Sequence, residues 1–391
     1  MRILFIHNFH QKFGGDDTVV ENYVAMLRRR GHLVELYQRH NDEIAGFGFL
    51  DKIRFFIDAV FSLRTWRDIG RLIQQFSPEL IFVHGIYPLI SPSVYDVAWK
   101  FRIPVVQMVH DMRFWCPSAW FFRSGRVCTL CSKGNFWHSI RYRCYRNSLL
   151  LSALYATSIF LLRKRGFFKK VSLFIIPSDH IRGYLADGGV VSERIALHPH
   201  IVAAAGLNSA AAKPSERYVA FLGRLSPEKG LMLLMRAAER FPHMGFKIGG
   251  TGPMEDDLRA YVRKHNLSNV WFCGFFAGED KNRFLREATL LAAPSECYES
   301  FGQVVVEAYA SGTPVIAANH GGLASLVQDG ETGWLFRPGD EEHFLDVLQR
   351  AWDFPDLGKI SRSAFDYFEK KLSEDVLISR LEQSLKSVVK I

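Results

Sequence analysis

No run of apolar residues in this sequence is long enough to cross a bilayer. The longest, Leu149 to Leu162, is interrupted by Ser152, Thr157 and Ser158 and falls short of the ~20 residues a membrane-spanning helix needs. There is no long polar or low-complexity tract either. With 48% hydrophobic and 23% charged residues the chain can bury a sizeable core, and it is expected to be globular throughout. The start, MRILFIHNFH, lacks the apolar stretch and small-residue cleavage site of a signal peptide, so a cytoplasmic protein is expected. Helix-turn-helix, RNP and standard zinc-finger patterns are also missing, which argues against a nucleic-acid binder. The net charge of +9 and pI near 9.2 then point to other acidic partners, phosphorylated small molecules or an anionic bilayer surface.

At 391 residues the chain is too long for one ordinary hydrophobic core, and two domains are expected. Residues 2–7 (RILFIH) read as a buried parallel strand, followed by a Gly-containing loop and a helix from about Asp17 to Arg30. Short apolar runs recur at 33–37, 79–84, 104–109 and 172–176, with helical patterns between them. That alternation marks an α/β domain with a parallel sheet. Residues 201–215 turn Ala-rich and end in Lys-Pro-Ser-Glu, which suits a connector. A second β/α series follows at 218–222, 245–249, 269–273, 289–293 and 313–317, without a sequence repeat of the first. The expected domains are therefore 1–200, carrying a Cys-rich and basic insertion at about 111–170, and 216–370. Residues 371–391 are expected to form a C-terminal helix packing back on the first domain.

Open α/β sheets bind ligands at the carboxyl ends of their strands. After the strand at 218–222, Gly223-Arg224-Leu225-Ser226-Pro227-Glu228-Lys229-Gly230 places a guanidinium and an ammonium where they could neutralise a pyrophosphate. An ordinary loop with surface charges is the plainer reading. After the strand at 289–293, Glu299-Ser-Phe-Gly-Gln-Val-Val-Val-Glu307 places one carboxylate in a loop and a second inside the following helix. At ~1.5 Å rise per residue both can face one ligand near the helix N-terminus, beside the N–H groups of Phe301, Gly302 and Gln303. A solvated carboxylate for Glu307 and a helix-dipole partner for Glu299 compete with that reading.

Taken together, GRLSPEKG, the GTGP turn at Gly250–Pro253, ESFGQVVVE and EAYASGTPVI resemble, in order and spacing across about 217–340, the retaining glycosyltransferase family 4 (glycosyl transferases group 1). The resemblance implies a GT-B fold, α/β with two Rossmann-like domains facing a central cleft. It also implies transfer of a hexose-type sugar from a nucleoside diphosphate sugar with retained anomeric configuration. By the same resemblance Arg224 and Lys229 grip the donor diphosphate without need of a catalytic metal, and Glu307 bonds the ribose. Glu299 contacts sugar hydroxyls, and Ser300, Phe301 and Gly302 orient hexose and phosphate. Gly223, Gly250 and Gly252 shape the donor loops, and Gly274, Phe275 and Phe276 form the base pocket. In the first domain Gly14-Gly15 resembles the family's glycine-rich loop, with a plain tight turn as the alternative. His110 resembles the His that lines the acceptor side of the cleft, with a buried structural His as its alternative. No general base is assigned. UDP- or GDP-sugars are the implied donors, and a saccharide or lipid-linked saccharide in cell-surface polysaccharide synthesis the implied acceptor. A sugar-nucleotide epimerase, a glycan phosphorylase and a silent nucleotide-sugar-binding scaffold are the rival readings.

Only six cysteines are present, and Cys116, Cys128, Cys131 and Cys144 fall within thirty residues. Cys128-x2-Cys131 has metal-ligand spacing, so a structural zinc, free thiols and disulfides all stay open. Arg141, Arg143, Arg146 and then Arg163, Lys164, Arg165, Lys169 and Lys170 bracket the apolar run 149–162. Such flanks suit attachment to the inner face of an anionic membrane, or a solvated charged face beside a buried helix.

Overall fold

Each half of the chain builds a six-stranded parallel sheet, and in both the strands are the short apolar runs of the sequence. The computed structural model describes residues 1–11, 14–202 and 216–389, so the connector expected at 201–215 lies, from 203 on, outside the described residues. The first sheet comprises β1 (Arg2–Phe9), β2 (Leu33–His40), β3 (Leu80–Val83) and β4 (Val105–Met108). A two-stranded hairpin, β5 (Phe122–Arg123) and β6 (Arg126–Val127), comes before its last strands, β7 (Leu173–Ile176) and β8 (Ile195–Leu197). The second sheet comprises β9 (Tyr218–Leu222), β10 (Gly245–Gly249), β11 (Val270–Gly274), β12 (Leu290–Ala293), β13 (Val315–Ala318) and β14 (Gly333–Phe336). Strands such as LIFV, LFII and VIAA are buried at every residue, because crossover helices cover both faces of a parallel sheet.

The chain divides into two units, one made of Met1–Phe121, Thr129–Ile201 and the stretch from Leu377 onward, the other of Phe122–Cys128 and Val202–Val376. In the helix Glu374–Val389, residues Leu377, Ile378, Leu381, Leu385 and Val388 join the core of the first unit with Ile3, Phe5, Val20 and Leu27. Glu382 on that helix pairs with Arg30 and His32, and the Leu377 carbonyl accepts from His198 Nε2 at 2.8 Å. The run 149–162 forms the helix Leu149–Lys164, whose start is capped by Ser148. Among the described residues no helix is long and apolar enough to cross a membrane.

Strand order decides where ligands can sit. The second sheet runs β11-β10-β9-β12-β13-β14, so the order in which strands are added switches from one side to the other between β9 and β12. The first runs β2-β1-β3-β4-β7-β8, with the same switch between β1 and β3. Loops leave in opposite directions at such a switch point and open a crevice at the carboxyl ends of the two strands.

Candidate functional site

The loops after β9 and β12 flank the switch point of the second unit, and these loops carry the two charged motifs. The β9 loop lies against the turn after β10, with the Leu225 N–H donating to Thr251 O at 3.0 Å and the Met254 N–H to Leu225 O at 2.9 Å. Glycine is obligatory there: a Cβ on Gly250, which sits at φ +123°, would lie 1.8 Å from Gly223 O, and one on Gly252 would lie 2.3 Å from Leu225 O. Gly230, at φ +68°, likewise lets the β9 loop touch the Pro294 carbonyl of the β12 loop. The GTGP glycines thus bring backbones together and present the basic loop.

Across this junction Lys229 Nζ meets Glu299 Oε1 at 2.5 Å, and Ser295 Oγ donates to the same oxygen at 2.5 Å. Burial works against both charges. The Glu299 carboxylate nevertheless raises Lys229 above the ordinary lysine range, and Lys229 and Ser295 hold Glu299 below the ordinary carboxylate range. His320, in the loop after β13, gives its Nε2–H to Ser295 O at 2.7 Å and steadies the third loop of the group. Arg224 is exposed and, among the described residues, has no ion-pair partner. One cation is locked and one is open.

Glu307 lies inside the helix Gln303–Ala310 and pairs with Lys281 Nζ at 2.6 Å, so each motif carboxylate has its own lysine. Phe301 is buried and lends only backbone to the site beside Ser300. Gly302, at φ +116°, starts the helix, and the Gly322 N–H clamps the turn through Glu299 O at 2.7 Å. Gly274, at φ +74°, accepts from the Gly250 N–H at 2.6 Å. Phe276 stacks on Phe284, whereas Phe275 is 76% exposed and free to meet a flat ring.

In the first unit, the Gly14 N–H donates to Asp17 Oδ2 at 3.0 Å. That bond closes the first turn of the helix Gly15–Arg29. His110 is buried, with Nε2 2.8 Å from His84 Nδ1 and Nδ1 3.5 Å from Asp16 Oδ1. His110 Nδ1 makes no hydrogen bond among the described residues. Burial, with His7 and His10 nearby, pulls the His110 pKa down to about 3, so it stays neutral.

Among the described residues no three of the four cysteines bring their sulfurs within 4.8 Å of one another. None of the four cysteines is in a disulfide, and Cys116, on the turn after β4, sits with Sγ 3.2 Å from Ser118 Oγ. Among the described residues the one set of three His, Cys, Asp or Glu side chains with ligating atoms within 4.8 Å of one another is His7, His10 and Asp17. Sequence reasoning missed that set, and it missed Ser295, Lys281, His320 and His84. Of these, His84, Ser295 and His320 follow strand ends and would have been flagged by the same rule that flagged Lys229.

A family model described as Glycosyltransferase Family 4 matches residues 13–204, and one described as Glycosyl transferases group 1 matches 207–364. D-inositol 3-phosphate glycosyltransferase of Mycobacterium sp. (strain KMS) is 42% identical over 145 residues, 34% of this chain and 33% of that protein. Sulfoquinovosyl transferase SQD2 of Arabidopsis thaliana is 34% identical over 140 residues, 35% of this chain and 27% of that protein. The matched segment therefore spans a third or less of these curated relatives. Anabaena Alr3699/HepE in complex with UDP superposes with a TM-score of 0.71 at 20% identity, covering 99% of this chain and all of that one, a likeness that carries the fold. With the two models matching its two halves in turn and the GT-B architecture in both sheets, the chain belongs to glycosyltransferase family 4.

Proposed function

We propose that this protein is a retaining glycosyltransferase that moves a hexose-type sugar from a UDP- or GDP-sugar to a saccharide or lipid-linked saccharide acceptor in cell-surface glycan synthesis. The observation that carries the reading is the Lys229–Glu299 pair at the switch point of the second sheet. A diphosphate arriving there meets Lys229 and Arg224, and Glu299 exchanges part of its hold on the lysine for sugar hydroxyls. As the bond to the anomeric carbon breaks, charge builds on the leaving phosphate, where preorganised cations act most strongly. The solved neighbours crystallised with UDP and with UDP-glucose support a uridine nucleotide among the candidates. A thermal-shift panel of UDP, GDP, ADP and their sugar conjugates tests this. A ligand present at a hundred times its dissociation constant stabilises the native state by about 2.7 kcal/mol, which a Tm shift reports. One responding nucleotide sets the donor class, and no response from any of them contradicts the reading.

The partner reading extends to the bilayer surface. Residues 112–178 contain twelve Lys and Arg and no Asp or Glu, while the rest of the chain carries 37 cations against 40 carboxylates. The positive charge of the whole protein therefore resides in this stretch. Within it Trp137 and Leu150 are 64% and 62% exposed beside exposed Arg141, Arg143 and Arg146. None of those three arginines has a carboxylate partner among the described residues. Each basic residue near an anionic surface contributes about 1 kcal/mol. Replacing the three by serine is expected to weaken co-sedimentation with phosphatidylglycerol vesicles by about a hundredfold, with no binding to phosphatidylcholine vesicles before or after. Equal binding to both vesicle types would overturn this part of the reading.

A further inference from the structure

Charge is arranged unusually on the helix Gly278–Glu287, which follows β11 in the second unit. Its first turn carries Glu279 and Asp280, the residue types that the N–H groups of a helix start attract. Both are answered from within the helix, Glu279 by Arg286 at 3.1 Å and Asp280 by Arg283 at 2.8 Å. Lys281, in the same turn, is a cation placed against that dipole. It pairs with no carboxylate of its own helix. Its Nζ crosses instead to Glu307 Oε1 at 2.6 Å, on the helix Gln303–Ala310.

Packing fixes where this pair stands. Phe284 and Leu285 anchor one helix in the core of the second unit, and Val305, Val306 and Ala308 anchor the other. Lys281 and Glu307 are left at the edge of that core, with 27% and 19% of their side chains exposed. An ion pair is a poor source of stability in such a place, so a lysine set against its local preference marks a functional position. The pair also ties together two helices with different approaches. The helix of Glu307 is entered from the Glu299 loop, where a diphosphate meets Lys229. The helix of Lys281 is entered from exposed Phe275, where a flat base can lie.

Between diphosphate and base, a nucleotide has a ribose. Each of its two vicinal hydroxyls can donate one hydrogen bond and accept another, whereas a carboxylate only accepts and an ammonium only donates. Glu307 Oε1 is held by Lys281, and among the described residues Oε2 has no hydrogen-bond partner. The ammonium has hydrogens left over from its bond to Glu307. An open acceptor therefore stands beside an open donor, the complement of a cis-diol: one hydroxyl donates to Glu307 Oε2 and its neighbour accepts from Lys281 Nζ.

We propose that Lys281 is a ribose-reading residue of the donor site, giving a hydrogen bond to one hydroxyl of the nucleotide while Glu307 takes one from the other. The assignment rests on the nucleotide-sugar reading above. It makes the ion pair the element that separates a ribonucleotide from a deoxyribonucleotide.

Isothermal titration of the full chain with UDP and GDP, and with the 2′-deoxy and 3′-deoxy forms of whichever binds more tightly, reads each hydroxyl in turn. On the native protein each deoxy form is expected to bind about tenfold more weakly or worse, the loss of one hydrogen bond to a charged group. In Lys281→Met, which keeps the aliphatic stem, one of the two penalties should shrink below about threefold while the other stays. Two undiminished penalties in the variant, or none on the native protein, would overturn the assignment. Two abolished penalties would overturn it as well, since Lys281 would then only hold Glu307 in place. Acetylation of the native chain, read by peptide mass spectrometry, keeps the test readable should the variant not fold. Lys281 should be protected by the tighter nucleotide and labelled as in the empty protein with inorganic pyrophosphate, which has no ribose. Equal labelling with and without nucleotide, or equal protection by pyrophosphate, again counts against the lysine. A native protein that binds neither UDP nor GDP sinks the transferase reading itself, an outcome distinct from nucleotide binding without a ribose penalty.

Discussion

Lys229→Ala is expected to lower sugar transfer about a thousandfold, the upper end of what one preorganised charge on a developing anion contributes. The alanine removes the cation that meets the leaving phosphate and leaves only the exposed, unpaired Arg224 to do so. It also strands Glu299, which is left with the Ser295 hydroxyl as its partner. Both side chains are largely buried, at 21% and 16% exposure, so deleting one partner should also cost roughly 3 kcal/mol of stability. The sign of the pH dependence follows from the pair. Glu299, held low, contributes stability that disappears as pH falls through its folded pKa, and Lys229, held high, contributes stability that disappears as pH rises through its own. The native protein should accordingly show a stability plateau across neutral pH, and Lys229→Ala should lose stability already as pH rises into the range where Glu299 ionises. Nucleotide release and urea unfolding midpoints between pH 4 and pH 10 (about that span, limited by the ordinary carboxylate and lysine values) check both claims. Unchanged turnover would mean that the pair is structural and that the donor phosphate is met elsewhere.

Gly250→Ala is expected to destabilise the second unit by about 4 kcal/mol, the range reserved for a backbone that cannot accommodate a side chain. The new Cβ would sit 1.8 Å from Gly223 O and 2.9 Å from Gly223 C, both backbone atoms, at a φ of +123° that L-residues rarely adopt. Relief requires prising the β9 loop from the turn after β10, which breaks the bonds from Gly223 N to Gly249 O and from Leu225 N to Thr251 O. Gly223→Ala is the matched control. Its Cβ would meet only the Phe221 ring at 3.5 Å, an ordinary contact, so a change within about 1 kcal/mol is expected. Circular dichroism during urea unfolding, with the nucleotide thermal shift beside it, separates the two. Equal behaviour of the variants would show that the loop–turn contact is not rigid.

Most strands of both sheets were legible because a parallel strand buried on both faces is written as an uninterrupted apolar run. The short strands Ile195–Leu197 and Gly333–Phe336 and the hairpin at Phe122–Val127 were not, because three- or four-residue edge elements leave no such run. The basic loop and the paired glutamates were legible for a similar reason: position after a strand plus charge type suffices to nominate them. What each carboxylate does was not. Glu299 and Glu307 read as a pair serving one ligand, and in the fold each is answered by a different lysine, Lys229 from 70 residues before and Lys281 from 26 before.

The amino-acid sequence by itself determined the α/β class, the two-domain division, the family, and a basic loop and carboxylates at strand ends, since these depend on local periodicity and residue chemistry. Tertiary structure alone decided the bonding states: the Gly14 N–H bonded to Asp17, His110 held neutral by its surroundings, Lys281 carried across to Glu307, and no three of the four clustered cysteines brought together. Tautomers and charges depend on which groups the fold brings within about 3 Å, and distance at that scale is set by strand order and loop closure, not by spacing along the chain.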